Sequence, residues 1–120
     1  MAVTKFVNLT NHDITLVDEQ GNKLVTFKPS GIVARIEHEI DRTVDEYEIA
    51  EGVVIHIPEN IYRENKNVVG LPDPQPNTIY LVSSLIAQTV KREDLRAPVM
   101  TTALKDEVGN IIGVRELRSY

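Results

Sequence analysis

A short polar segment near the start of the chain carries side chains that both donate and accept hydrogen bonds. Asn8, Thr10 and His12 are spaced two residues apart in the sequence NLTNHD, so an extended backbone would present them on one side. Such a trio can form a polar binding site. The same segment is also typical of a turn, because Asn and Asp side chains mimic backbone turns and tolerate left-handed geometry. Both interpretations stay open at this point.

Two serines, Ser83 and Ser84, follow a strongly apolar segment. A serine at a strand-to-helix turn is where an α/β-hydrolase holds its nucleophile, but the flanking glycines that permit that sharp turn are missing here. Capping of a short helix near residues 84–90 is the favoured role. Free N–H groups at the start of such a helix would also favour a bound anion.

Four basic side chains are the candidates to complete this anion site: Arg35, Lys91, Arg92 and Arg96. Arg35 and Arg92 can pair with a phosphate or a carboxylate, and Asp94 can accept a hydrogen bond from a hydroxyl or a base edge. The candidate ligand-binding residues are Asn8, Thr10, His12, Arg35, Ser83, Ser84, Arg92 and Asp94.

Neither a metal site nor a catalytic group is expected. His38 and His56 fall on separate predicted strands and could meet across a sheet, but Glu37 and Glu39 would point to the face opposite His38 in a regular strand. A histidine satisfied by a backbone group is the favoured interpretation. The phosphate-binding motifs of the standard nucleotide folds are missing. We therefore expect no cofactor.

Composition and charge exclude several classes of protein. The 120 residues are 42% hydrophobic and 26% charged, which is an ordinary globular balance and predicts a single domain over residues 1–120. The net charge of −5 argues against binding to duplex nucleic acid. The chain has no cysteine, hence no disulfide and no Cys-zinc site. No stretch approaches the ~18 apolar residues of a membrane helix. We expect a soluble, cytoplasmic protein with no membrane partner.

Periodicity favours strands over helices, beginning with two hairpins of one type. The sequence DEQGN at 18–22 lies between apolar, β-branched segments, and DEVGN recurs at 106–110. In both, an acidic residue can open the turn and a glycine can take the left-handed position. Two similar hairpins are a simpler explanation than a duplicated domain.

The middle of the chain predicts further strands and one loop. Residues 32–40 alternate as a two-faced strand, 41–51 are acidic and form a surface loop or edge strand, and 52–57 form a short strand that Pro58 ends. The three prolines within 70–77 predict a stiff connection.

Residues 78–83 give the strongest signal for a buried strand, and the charged loop 91–96 follows the short helix. The predicted fold is therefore mainly β: a small antiparallel barrel or sandwich with hairpins and one short helix near residues 84–90.

Six motifs occur in an order and spacing that span most of the chain. They are Asn8-Leu9-Thr10-x-His12-x-Ile14, Pro29-Ser30-Gly31-x-x-Ala34-Arg35, Gly70-Leu71-Pro72-x-Pro74, Tyr80-Leu81-Val82-Ser83-x-x-x-Ala87, Arg92-x-Asp94-Leu95-x-x-Pro98 and Gly109-x-Ile111-x-Gly113. In this order they resemble a group of short, uncharacterised proteins encoded in phage and prophage genomes. The resemblance implies a small accessory protein outside the virion. Such proteins often act on host defence by binding, including by sequestering cyclic nucleotide signals.

The sequence and the resemblance together lead to a functional hypothesis. We expect a non-enzymatic protein that binds a small anionic ligand, such as a cyclic nucleotide, and forms a homo-oligomer. Two alternatives stay open: a small hydrolase that uses His12 or His38 with a carboxylate, and a protein–protein inhibitor or minor structural protein.

Overall fold

Strands make up most of the ordered elements, as the sequence predicts. The computed structural model describes residues 2–120, and all side chains of this range except those of 38–40 and 62–66. Within this part of the chain the elements are β1 Lys5–Asn8, β2 Ile14–Val17, β3 Lys23–Phe27, β4 Arg35–Ala50, β5 Val53–Val69, β6 Thr78–Leu81, α1 Ser84–Val90, β7 Leu95–Pro98, β8 Ala103–Lys105, β9 Ile111–Val114 and β10 Leu117–Arg118. The mainly β fold and its one short helix are confirmed. The described strands form three sheets and no closed barrel.

The chain divides into two compact units. One unit consists of Met1–Arg35 together with Val68–Tyr120, and the other of Ile36–Asn67. The first unit contains two four-stranded sheets, whereas β4 and β5 form a two-stranded sheet of their own. The organisation as a single domain over residues 1–120 stays a prediction.

The first sheet has the strand order β1-β6-β7-β10 and contains the most deeply buried strand. Tyr80 and Leu81 of β6 are both buried, so this central strand is covered on both faces, as its unbroken apolar sequence predicts. Strand β6 runs parallel to both β1 and β7. The expected antiparallel arrangement is therefore correct only in part. Helix α1 connects β6 to β7, and a crossover of this kind joins parallel strands.

Helix α1 has the cap that the sequence predicts. Ser83 is extended (φ −65°, ψ 156°), and its Oγ accepts a hydrogen bond from the backbone N–H of Ile86 at 3.4 Å. Lys91 ends the helix in the left-handed conformation, with its N–H donating to the carbonyl oxygen of Ala87. In the described chain, no helix has the length and apolar character needed to cross a bilayer.

The second sheet has the order β3-β2-β9-β8 and contains both predicted hairpins. Their turns share one set of hydrogen bonds. The Oδ1 atom of Asp18 accepts from the backbone N–H groups of Gln20 and Asn22, and Asp106 makes the same two bonds in its own turn. In the first turn these bonds, led by that from Asn22, hold the pKa of Asp18 below its ordinary value. The prediction of two similar hairpins is confirmed.

Strands β4 and β5 are much longer than expected. Strand β4 begins at Arg35 rather than at residue 32, and it continues through the acidic residues to Ala50 as an edge strand. The prediction that Pro58 ends its strand is wrong, because β5 runs from Val53 to Val69. Each of these strands has only one hydrogen-bonded neighbour among the described strands, so each has an open edge where a proline is tolerated.

The proline-rich segment 70–77 forms an irregular connection between β5 and β6, as predicted. Gly70 begins it with φ +76°, and a Cβ at this position would lie 2.2 Å from the carbonyl oxygen of Val33. Only glycine allows this close approach of two backbone segments. The contact fixes residues 33–34, which contribute to the site described next.

Candidate functional site

A hollow of about 320 Å³ lies in the first unit, where three loops and the end of β7 meet. Its lining residues are Leu9, Thr10, Asn11, His12, Val33, Ala34, Ser83, Ser84, Pro98 and Met100. The polar loop after β1 and the serine pair before α1 thus form two walls of one space. Of the predicted site residues, Thr10, His12, Ser83 and Ser84 converge here.

Buried Asn8 holds the polar loop in shape from below. Its carboxamide nitrogen donates to the carbonyl oxygens of His12 and Phe27 at 2.8 and 2.9 Å. Its carboxamide oxygen accepts from the N–H and the hydroxyl of Thr10 at 2.9 and 2.6 Å. Both donors and both acceptor positions of the amide are therefore occupied. Asn8 positions the site and has no hydrogen-bonding capacity left for a ligand.

Three polar side chains of the lining are available to a ligand. No described residue hydrogen-bonds the side chain of Asn11 or Ser84, and both are exposed. The ring of His12 is exposed as well, and its Nδ1 lies 3.2 Å from the carbonyl oxygen of Asp13, which leaves Nε2 free. An amide, a hydroxyl and an imidazole can together read the polar edge of a small molecule.

The remaining lining residues are mostly apolar, and backbone hydrogen bonds hold two of them, Leu9 and Ala34, in place. Leu9 donates its N–H to the carbonyl oxygen of Leu81, and Ala34 donates its N–H to the carbonyl oxygen of Leu9, at 2.8 and 2.9 Å. Leu9 and Ala34 are buried, whereas Met100 is 55% exposed at the rim. An apolar floor with a few polar groups is typical of sites for small organic ligands.

A second hollow of about 260 Å³ adjoins the first. It is lined by His12, Asp13, Ile14, Pro98, Met100 and Ile111. His12, Pro98 and Met100 belong to both spaces, so the imidazole and the Met100 side chain stand at their junction.

Arg92 and Asp94 lie elsewhere, at a shallow hollow with Pro74 and Glu93. Arg92 donates its Nε and Nη2 hydrogens to the two Asp94 carboxylate oxygens at 2.9 and 2.5 Å, and its Nη1 to the carbonyl oxygen of Pro72 at 3.0 Å. The pairing lowers the pKa of the Asp94 carboxyl. The guanidinium also lies 5.9 Å from the ring centroid of Tyr80. This pair fastens the proline-rich connection to the first sheet.

Arg35 is exposed and directly follows Ala34 of the hollow's wall. It is not itself a lining residue, and it forms no ion pair with a described residue. The expected common site is therefore formed in part: four of the eight predicted residues line the hollow, Asn8 supports it, Arg35 adjoins it in sequence, and Arg92 and Asp94 occupy another place.

Several lining residues were not predicted, Asn11 and Met100 above all. An extended segment would alternate its side chains between two sides, but residues 10–12 form a bend, so Asn11 lines the hollow beside its neighbours. The Asn and Asp residues within 8–13 are typical of a bend and could have indicated it. No local sequence pattern predicts Met100 as a lining residue, because the 3₁₀ turn Met100–Thr102 is brought to the hollow by contacts between residues distant in sequence.

Among the residues that line the hollow, His12 is the only one with a titratable side chain. No described carboxylate pairs with His12, and the described residues contain no group of three or more His, Asp or Glu able to hold a metal ion. The hydrolase alternative that uses His38 concerns a side chain outside the described residues. Ser83 is engaged as the helix cap.

Comparison with models of protein families, with curated proteins and with solved structures finds no match to this chain. The resemblance to a phage and prophage family stays a prediction, and so do the cytoplasmic location and the homo-oligomer.

Proposed function

We propose that this protein binds a small anionic, nucleotide-like ligand in the hollow between the polar loop and the start of α1, and releases it unchanged. The wider role within the same proposal is that of a phage-type accessory protein that sequesters an immune signal. The observation that carries the proposal is the convergence of Thr10, His12, Ser83 and Ser84 on one space with an apolar floor.

The size and lining of the hollow support a ligand with a flat apolar part and a polar edge. A volume of about 320 Å³ is at the lower end of the range of roughly 300–1,000 Å³ for small-molecule sites. Leu9, Ala34 and Met100 can pack against a ring, while Asn11 and Ser84 can hydrogen-bond its edge. A nucleobase has both features.

The charge near the hollow supports an anionic end on the ligand. The lining contains no Asp or Glu, and His12 becomes cationic when protonated. Arg35 follows Ala34 of the wall, and its guanidinium is available for a phosphate.

Titration calorimetry with cyclic mononucleotides, cyclic dinucleotides and ADP-ribose derivatives tests the proposal. We expect heat of binding with at least one of them, and loss of that heat in Met100→Trp, which fills the rim of the hollow. Leu85→Trp is the matched control, because Leu85 is 49% exposed and lies outside the lining.

The ligand is then recovered by denaturing the complex and is identified by chromatography. Intact ligand supports binding without turnover, whereas a cleaved product supports the hydrolase alternative. The absence of heat with every compound, in a sample whose circular dichroism shows folded protein, refutes the proposal. Equal binding by Met100→Trp and the wild type excludes the hollow as the site.

A further inference from the structure

The second hollow differs from the first in its charge. Asp13 is the only carboxylate among the described residues that line either space. Asp13 is exposed, and no described residue donates a hydrogen bond to its carboxylate. Its backbone carbonyl oxygen, by contrast, lies 3.2 Å from the His12 Nδ1 atom. The carboxylate is therefore available to a ligand, and its two oxygens can accept two hydrogen bonds side by side.

Apolar side chains form most of the remaining lining of the second hollow. Ile14 is buried and Ile111 is 53% exposed, and Pro98 and Met100 complete the apolar part. Such surfaces pack well against a flat ring. A ring that covers Asp13 must also donate a hydrogen bond to it, because a charge removed from water without a partner is costly. The lining therefore selects a heterocycle that presents N–H groups on one edge.

One ligand with two rings can occupy both hollows. His12, Pro98 and Met100 line both of them, so the two spaces share a boundary. Their volumes, about 320 and 260 Å³, are each near or below the lower end of the range of roughly 300–1,000 Å³ for small-molecule sites. The group that joins the two rings would then pass His12. A phosphodiester suits this place, since the imidazole becomes cationic when it is protonated.

We infer that the second hollow binds guanine, so that the ligand of this protein is a dinucleotide with one base in each hollow. The inference rests on the proposed function, because the first hollow has to bind the other nucleotide. Guanine carries two adjacent donors on its polar edge, the ring N–H and the exocyclic amino group. Adenine and cytosine carry an amino group beside a ring nitrogen that accepts, and uracil carries one N–H between two carbonyl oxygens. The two acceptor oxygens of Asp13 therefore match guanine and repel the acceptors of the other bases.

The distribution of charge supports this placement of the ligand. The lining of the first hollow contains no acidic residue, and Arg35 directly follows Ala34 of its wall. Asp13 lies in the second hollow, where it would repel a phosphate. The phosphate is therefore favoured at the first hollow and at the junction, and an uncharged base with two donors is favoured beside Asp13.

Titration calorimetry with ligands of equal charge tests the choice of base. Cyclic AMP and the dinucleoside phosphates ApA, ApG and GpA, made of adenosine (A) and guanosine (G), each carry one phosphodiester. We expect ApG or GpA to bind the full chain at least about tenfold more tightly than ApA and cyclic AMP, which is the effect of one good bidentate pair. Equal, measurable affinities of the four ligands would overturn the inference and leave the proposed function in place. Absence of binding by all four also overturns the inference, whereas the proposed function is then decided by its own wider set of compounds.

Two substitutions to tryptophan test where guanine binds. Ile111→Trp fills the second hollow and is expected to remove the advantage of ApG or GpA over cyclic AMP. Val108→Trp is the matched control and keeps that advantage, since Val108 is 81% exposed and lies outside both linings. Circular dichroism checks that both variants are folded. An advantage that survives in folded Ile111→Trp would mean that guanine binds elsewhere, and it would overturn the inference.

Asp13→Asn tests which group distinguishes the bases. A carboxamide offers one donor and one acceptor, which match adenine better than guanine, so the ratio of the ApG (or GpA) affinity to the ApA affinity is expected to fall at least about tenfold. The lost negative charge strengthens the binding of all these anions alike and cancels in that ratio. Glu19→Gln removes the same charge from an exposed residue outside both linings and keeps the wild-type ratio. An unchanged ratio in Asp13→Asn would overturn the inference that Asp13 binds guanine.

Discussion

The turn of the β2–β3 hairpin packs against the β8–β9 hairpin: a Cβ on Gly21 would lie 2.8 Å from the Cδ2 atom of Leu104 in β8. Gly109 occupies the equivalent position in the second turn, and a Cβ there would meet nothing within 4 Å. The two glycines have nearly the same backbone conformation, with φ of +84° and +88°. Alanine substitutions at Gly21 and Gly109 therefore distinguish the energetic cost of backbone strain from the cost of a packing clash.

Gly21→Ala is expected to destabilise the protein more than Gly109→Ala. Both variants place a side chain in the left-handed region, at about 1–2 kcal/mol. Only Gly21→Ala also forces the Leu104 side chain to move, which adds roughly 1 kcal/mol. Urea unfolding of the two variants against the wild type measures the difference. Equal losses in free energy of unfolding would mean that the first turn does not pack on Leu104.

Asn8→Ala is expected to lower the free energy of unfolding by about 2–3 kcal/mol, because it leaves backbone groups of Thr10, His12 and Phe27 without their partner. Asn11→Ala is the control, with an expected change within about 0.5 kcal/mol, since the Asn11 side chain is exposed. Chemical unfolding followed by circular dichroism measures both. If the two substitutions cost the same, Asn8 does not hold the loop.

The locally encoded elements could be predicted from the sequence. Each hairpin turn needs one aspartate and one glycine at fixed spacing, and both sit within five residues. Strand β6 is buried on both faces, which leaves an unbroken apolar run, and Ser83 caps α1 three residues from the N–H that it binds. These features depend on neighbours in sequence.

The extent of β4 and β5 could not be predicted by the same reasoning. Acidic residues and Pro58 usually interrupt a strand, because most strands have two neighbours and a buried face. A two-stranded hairpin has neither requirement, so charges and a proline remain within it. The partners of a strand, unlike its turns, are set by contacts distant in sequence.

The candidate site, like the fold, could be predicted only where neighbouring residues determine the structure. The polar character of residues 8–12 was evident, but which amide points inward was not: Asn8 is buried and bonded, while Asn11 lines the hollow. The spacing of Arg92 and Asp94 already allowed them to pair with each other. The prediction that both bind a ligand is not met in the structure, where they bind each other and Arg92 also donates to the carbonyl oxygen of Pro72.

The charge at position 11 tests whether the proposed ligand is anionic. Asn11→Asp adds a carboxylate to the lining and is expected to weaken binding of a nucleotide about tenfold, whereas Asn11→Lys strengthens it. Both effects shrink as salt is raised, because screening shortens the range of the interaction. Calorimetry at low and high salt measures them. Asn11→Ala gives the effect of losing the amide alone, and equal affinities of the Asp and Lys variants would indicate a neutral ligand.

The pairing of Asp94 with Arg92 predicts a specific dependence of stability on pH. The Arg92 side chain, through its hydrogen bonds, lowers the pKa of the Asp94 carboxyl from its ordinary value of 3.8. A carboxyl with a lower pKa in the folded chain stabilises the fold above the pKa of the unfolded chain. It loses that contribution as the pH falls through the pKa of the folded chain.

Asp94→Asn is therefore expected to cost about 1–2 kcal/mol of unfolding free energy at pH 7, since the Arg92 and Asp94 side chains are 23% and 16% exposed. The difference from wild type stays constant down to about pH 4 and narrows below it, as the wild-type carboxyl becomes protonated. Glu93→Gln removes a neighbouring exposed carboxylate and is the control, with little change at any pH. Guanidinium unfolding at several pH values measures the three proteins. A difference at pH 3 as large as that at pH 7 would show that Asp94 acts through its shape rather than through its charge.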